Sequence, residues 1–190
     1  MENKERFLEI CRSNIHRDGI DKLLGWLESS DFYIAPASTR FHLSRPGGLL
    51  QHSLNVYDNL VRLSLAYPEI KVSDETIAVC ALFHDVCKVN VYKQSKRNRK
   101  DDVTGKWVQY DSYEFDEKFA FGGHGSKSVF ILQKYIELSP EEAVAINCHM
   151  SAWGDNRDYV GQAYEQFPFA WLLSVADQAS TYVSEVSHEE

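Results

Sequence analysis

The sequence predicts an all-α fold carrying one small β-hairpin, and three observations carry that prediction. Apolar residues recur at the 3.6-residue period in several separate segments. Serine caps followed by acidic first turns mark where two of those segments begin. Only one stretch, around residues 90–115, puts β-type residues on both sides of a turn-like DDVTGK.

The first helix covers about residues 2–14. A second starts near Asp18, a candidate N-cap, and carries Leu23, Leu24, Trp26 and Leu27. SSDFYIAPASTRFHLSRPGG then reads as irregular, being rich in turn formers. In GGLLQHSLNVYDNLVRLSLAY, Leu49, Leu50, Leu54, Tyr57, Leu60, Val61 and Leu65 follow the helical period. VSDETIAVCALFHD opens on Ser73 as N-cap, with Asp74 and Glu75 in the first turn, where the helix dipole favours anions. The next helix, SPEEAVAINCHM, has Ser139 as cap, Pro140 in the first helical position and Glu142 closing a capping box. PFAWLLSVADQASTYVSEV begins apolar on nearly every face, which predicts a central, buried helix. The hairpin flap holds the one basic cluster: Lys93, Lys96, Arg97, Arg99 and Lys100. With no internal repeat and no Gly/Ser/Pro linker, residues 1–190 read as one domain, its core in 46–180 and its N-terminal helices in 1–30.

Composition narrows the function. A hydrophobic content of 44% in 190 residues supports a sizeable core. The formal charge of -8 argues against a broad basic face for duplex DNA or an anionic membrane, and leaves room for a small basic pocket around a phosphate. No apolar run reaches the length of a membrane span. MENKERFLEICRSN lacks the apolar core and cleavage site of a signal peptide. The four cysteines, Cys11, Cys80, Cys87 and Cys148, form no CxxC pair, so reduced, buried thiols in a cytoplasmic protein are expected.

The chemistry lies in polar residues set into apolar or glycine-rich segments. These are His52 in GGLLQHSLNV, His84 and Asp85 in ALFHDVCK, His124 in FGGHGSKSV, His149 in AINCHM and Asp177 in LLSVADQAS. Each alone reads as a hydrogen-bonded core residue. Together, four imidazoles and two carboxylates are costly to bury unless something shared satisfies them, and a divalent metal does so. On a helix, adjacent His84 and Asp85 reach one metal from neighbouring directions, or Asp85 bridges two. Lys88, at i+4 from His84, points the same way and can approach a phosphate or orient a water.

The order His52, His84-Asp85, Asp177 resembles the HD-domain superfamily of metal-dependent phosphohydrolases, a helical-bundle family. GGLLQHSLNV and ALFHDVCK resemble its first two motifs, and the interposed His124 and His149 resemble the subset that binds two metals. The resemblance spans roughly residues 46–180. One departure is Cys87, where a glycine commonly precedes the lysine; it reads as packing. A basic flap before the third histidine resembles a group of compact bacterial and phage members. The resemblance implies a first metal on His52, His84, Asp85 and Asp177, and a second on Asp85 as bridge, His124 and His149. It implies one or two divalent ions, among Mn, Fe, Ni, Co, Zn or Mg, and metal-activated water cleaving a phosphoester.

Cationic side chains complete the expected pocket. Asp85 and Lys88 are the catalytic candidates. Lys88, Lys127, Arg45, Arg97 and Arg99 are candidates for holding substrate phosphate. Each has a plainer reading: Lys127 as a solvated lysine, Arg45 as a carboxylate partner, Arg97 and Arg99 as a solvated loop. Trp107, Tyr110 and Trp153 read as core or as nucleobase platforms. A Cys/His zinc site lacks finger-like spacing. The expected function is hydrolysis of a nucleotide or related small phosphoester. The alternatives are an exonuclease or phosphodiesterase on single-stranded RNA or DNA, and a non-catalytic nucleotide sensor. An accessory OB domain like that of the exoribonucleases with a similar first motif does not fit in the 45 residues before PGGLL.

Overall fold

The structure is a computed structural model that describes residues 2–186. Its helices run Glu2–Asn14 (α1), Ile20–Glu28 (α2), Gly48–Ala66 (α3), Asp74–Phe83 (α4), His124–Leu132 (α5), Pro140–Cys148 (α6), Val160–Gln166 (α7) and Pro168–Ala179 (α8). Tyr92–Lys100 (β1) and Trp107–Phe115 (β2) form an antiparallel hairpin in register from Tyr92 opposite Phe115 to Lys100 opposite Trp107. The all-α class with one flap is the observed architecture.

Two of the expected caps are in place. Ser73 Oγ accepts the Thr76 N–H at 3.1 Å. At α6, Ser139 Oγ accepts from Glu142 N–H and Glu142 Oε2 accepts from Ser139 N–H, a complete capping box. Asp18 is not the cap of α2. The helix starts one turn position later behind Gly19, at φ 91°, with no side-chain cap. A Cβ on Gly19 would lie 1.8 Å from the Tyr135 carbonyl oxygen, so close backbone approach selects glycine there. The short helix α7 has no counterpart in the sequence reading; seven residues carry too little period to announce it.

The helix enclosed on all sides is α4, buried at every residue from Ile77 to Phe83. It carries no charge after Glu75, so nothing pulls a face toward water. Helix α8, expected to be central, buries Phe169, Ala170, Leu172, Leu173 and Ala176 but leaves Trp171 and Val175 partly open. Phe7 of α1 packs edge-on to Phe83, with centroids 5.8 Å apart, and against Phe32 at 5.2 Å. The four cysteines are buried and unpaired with one another. Among the described residues, no helix is long and apolar enough to cross a membrane.

Two local features aim the polar residues. Helix α4 stops at Phe83, His84 takes its C-cap, and Asp85 leaves the helix at φ -107°, ψ 19° before a 3₁₀ turn over Val86–Lys88. Lys88 therefore meets Asp85 three residues back instead of continuing a helical stripe from His84. Gly125 lets α5 approach α6: a Cβ there would lie 2.2 Å from the Asn147 carbonyl oxygen. That contact brings the start of α5, with His124, alongside the end of α6, with His149.

Candidate metal centre

Four helices deliver donors to one buried point. His52 comes from the second turn of α3, His84 and Asp85 from the end of α4, His149 from the C-cap of α6 and Asp177 from α8. His52 Nε2 lies 3.1 Å from Asp177 Oδ1, 3.3 Å from His84 Nε2 and 3.6 Å from Asp85 Oδ2. His84 Nε2 is 3.4 Å from the same Asp85 oxygen. Lys88 Nζ donates to that oxygen at 2.6 Å. All but Asp177 of these side chains are buried, and Asp177 is nearly so.

The other ring nitrogens are already committed. His84 Nδ1 donates to the Ala81 carbonyl at 2.9 Å, His149 Nδ1 to the Ile146 carbonyl at 2.7 Å, and His52 Nδ1 to Glu185 Oε1 at 2.9 Å. These partners only accept, so a proton sits on each Nδ1 and every Nε2 faces the centre, that of His52 sharing a second proton with Asp177 that a cation would displace. His149 Nε2 is buried and makes no hydrogen bond among the described residues; Asp85 Oδ1 lies 3.5 Å away. Ligands sharing one cation at about 2.0–2.2 Å stand about 3.0–3.5 Å apart, whether the angles are octahedral or tetrahedral. The 3.1, 3.3, 3.4 and 3.6 Å separations here match that spacing closely. An orphaned imidazole nitrogen, converging Nε2 atoms and two carboxylates fit a divalent cation.

The electrostatics keep the carboxylates charged. Burial pushes the Asp85 carboxyl up, but Lys88, His84 and His149 outweigh it and hold it well below the usual carboxylate range. Burial likewise opposes Asp177, and the hydrogen bond from His52 brings it down to about 2. Burial disfavours charge on His52, yet Asp177 and Glu185 prevail and lift it to about 9. Lys88 is raised, burial being outweighed by Asp85.

Asp85 has a second face. Its Oδ1 looks toward His149 Nε2 and toward Cys87 Sγ, 4.0 Å away, and the thiol in turn lies 3.7 Å from His124 Nδ1. Burial pushes the Cys87 thiol up to about 12 and lowers His124. His124 thus joins the cluster through Cys87 and Asp85, at its edge.

The centre opens into a cleft of about 310 Å³. Asp85, Lys88, His149 and Asp177 line its floor, and Phe41, Trp153 and Tyr182 its exposed rim. Lys127 is buried, paired with Glu117 and beside Phe119, on a neighbouring cleft that also exposes Cys87, Lys88 and His124. Arg45 is exposed and lines a separate cleft with Asn3, Lys4 and Tyr33. Arg97 and Arg99 lie on β1, Arg99 stacked on Tyr110, and neither lines the main cleft; Trp107 stays on the exposed hairpin.

Two residues at the centre escaped the sequence reading. Glu185, just past a π-helical turn over Ser180–Ser184, accepts from His52 Nδ1, from Asn55 Nδ2 at 2.9 Å and from His42 Nδ1 at 2.5 Å. His42, from the irregular segment, packs edge-on to His52 with centroids 4.8 Å apart. His42 lies in the irregular segment and Glu185 at the tail of the last predicted helix, and only their long-range pairing shows their place.

No curated protein and no solved structure matches the chain. A family model does, described as HD domain, and that superfamily consists of metal-dependent phosphohydrolases. It covers residues 49–182, the span that holds His52, His84, Asp85, His124, His149 and Asp177 and leaves His42 and Glu185 outside. The chain belongs to the HD domain family.

Proposed function

We propose that this chain hydrolyses a phosphoester of a small phosphorylated molecule, a nucleotide being the best fit, with one or two divalent cations. The observation that carries the reading is the convergence of His52 and His84 Nε2, 3.3 Å apart, on Asp85 and Asp177 at the floor of the cleft. His52, His84, Asp85 and Asp177 would hold one cation; Asp85, His124 and His149 would hold the other. Bound cations supply an acidified water as nucleophile and neutralise charge developing at phosphorus.

The chain's own groups do the rest. Ala81, Ile146 and Glu185 fix a proton on each Nδ1, which aims every Nε2 at the centre; at His52 a cation would displace the second proton shared with Asp177. Asp85 stays ionised between its two sets of neighbours. Lys88, anchored on Asp85 and lining the cleft, presents the nearest ammonium to an incoming phosphate. Lys127 offers a second one by the His124 side. The rim of Phe41, Trp153 and Tyr182 suits stacking on a base. The four buried, unpaired thiols support a reducing, cytoplasmic setting.

The test is a screen of cation-loaded protein against nucleoside mono-, di- and triphosphates, dinucleotides and generic phosphoesters. Release of phosphate or nucleotide is expected from at least one class. Silence on all, with the cation demonstrably bound, contradicts hydrolysis and favours a nucleotide sensor. A second reading, cleavage of single-stranded RNA or DNA, draws on the basic strand β1, where Lys93, Lys96, Arg97, Arg99 and Lys100 cluster. Labelled oligonucleotides compared with mononucleotides under the same cation separate the two.

A further inference from the structure

We propose that Cys87 is itself a ligand of the second cation position. Asp85 Oδ1, Cys87 Sγ, His124 Nδ1 and His149 Nε2 would then form a mixed carboxylate, thiolate and imidazole site. This rests on the metal-centre reading above and adds to it a ligand and a preference among cations.

The geometry points to it from three sides. Asp85 divides its oxygens: Oδ2 faces His52, His84 and Lys88, whereas Oδ1 faces His149 and Cys87. The thiol stands 3.7 Å from His124 Nδ1 and 4.0 Å from Asp85 Oδ1. A sulfur bonded at about 2.3 Å and a nitrogen or oxygen at about 2.0–2.1 Å on one tetrahedral cation lie about 3.5 Å apart, so sulfur is within about 0.5 Å of ligand spacing from both. The third side is independent of the cysteine. His149 Nε2, buried and without a hydrogen bond among the described residues, is aimed at the same Asp85 oxygen.

Cys87 is also held for the task. Its backbone N–H donates to Ser128 Oγ on α5 at 3.2 Å, which fixes the 3₁₀ turn against the helix that carries His124. Packing alone would serve equally well with the sulfur turned toward apolar neighbours. Cys148 shows that alternative: it adjoins His149 in sequence, yet it packs in an apolar cluster with Val160 and Ala163. On binding, a sulfur–cation bond forms, the S–H bond breaks and its proton leaves to solvent. A thiolate among imidazoles selects zinc, iron or cobalt over magnesium or manganese at this position.

Cobalt(II) substitution tests this without relying on turnover. Visible d–d bands report bound cobalt whatever its ligands; a near-ultraviolet sulfur-to-cobalt charge-transfer band reports a thiolate. Wild type should show both. Cys87→Ser and Cys87→Ala should keep d–d intensity, lose the charge-transfer band and bind the second equivalent at least about tenfold more weakly. Cys148→Ser should keep the band. Cobalt bound without the band in wild type, or a band that survives Cys87→Ser, overturns the ligation and leaves the metal centre standing. Failure of wild type to bind cobalt at all overturns both. Because the wild-type spectrum is decisive by itself in the negative case, misfolding of a variant does not shelter the proposal.

Discussion

Two buried polar clusters in this molecule differ in one respect. Around Glu142, every donor and acceptor has a partner. Arg17 reaches its two oxygens in a fork at 2.8 and 2.9 Å and also donates to the Glu137 carbonyl, while Thr76 and the Ser139 N–H fill the remaining lone pairs. Around Asp85, the outward nitrogens are satisfied while the inward Nε2 atoms crowd together, and that of His149 has no hydrogen bond among the described residues. A satisfied network of this kind fastens elements together, here the segment after α1 to α6. Convergent donors that their own surroundings leave unsatisfied mark a place where something else binds.

The contrast yields predictions in order of size. Asp85→Asn should abolish cation binding and lower turnover by more than about 100-fold, beyond the 10–100-fold typical of a residue that only orients a ligand. Equilibrium dialysis and initial rates would check it; retained turnover would sink the site. Glu142→Gln should instead cost about 1.5–3 kcal/mol of stability, several degrees in Tm, with cation affinity unchanged. Calorimetry with and without cation reads both quantities.

That cluster also sets an acid dependence. Burial raises the Glu142 carboxyl, but the Arg17 hydrogen bond and the Ser139 N–H hold it below its ordinary value of 4.5. A depressed folded value contributes stability that is present above about 4.5 and is lost as the pH falls through the folded value. Wild type should therefore destabilise more steeply than Glu142→Gln on acidification below about 4.5. Equal slopes in a urea series across pH would contradict the role given to Glu142.

Glu185→Gln should weaken cation binding by about 10–100-fold while leaving the fold intact, since it touches the centre only through His52 Nδ1 and His42. An unchanged titration isotherm would reduce Glu185 to a structural tether. The smallest effect is expected on the hairpin. Arg97→Ala with Arg99→Ala should alter mononucleotide turnover by less than about fivefold, the scale of exposed charges. A much larger loss on oligonucleotides would move the substrate toward single-stranded nucleic acid.

Much of this was legible in the chain, for physical reasons that also show where legibility ends. Ser139, Pro140 and Glu142 announce α6 because a capping box is made within four residues. The donors at His52, His84, Asp85, His149 and Asp177 stand out because each interrupts an apolar or helical pattern. The turn at Asp85 did not stand out. An unbroken helix would have placed Lys88 on a stripe with His84, whereas the 3₁₀ turn pairs it with Asp85 and turns Cys87 inward. His42 and Glu185 lie 143 residues apart, so only the folded chain joins them. Gly19 displaced Asp18 as the start of α2 through a contact with Tyr135 that no short window contains.

The central claim is that the buried cluster at Asp85 is a cation centre. Elemental analysis of purified protein, dialysed against zinc, manganese or cobalt and then against cation-free buffer, tests it most directly. At least one equivalent should remain on wild type, and essentially none on Asp85→Asn. A well-folded wild type that retains no cation under any of the three conditions would contradict the account.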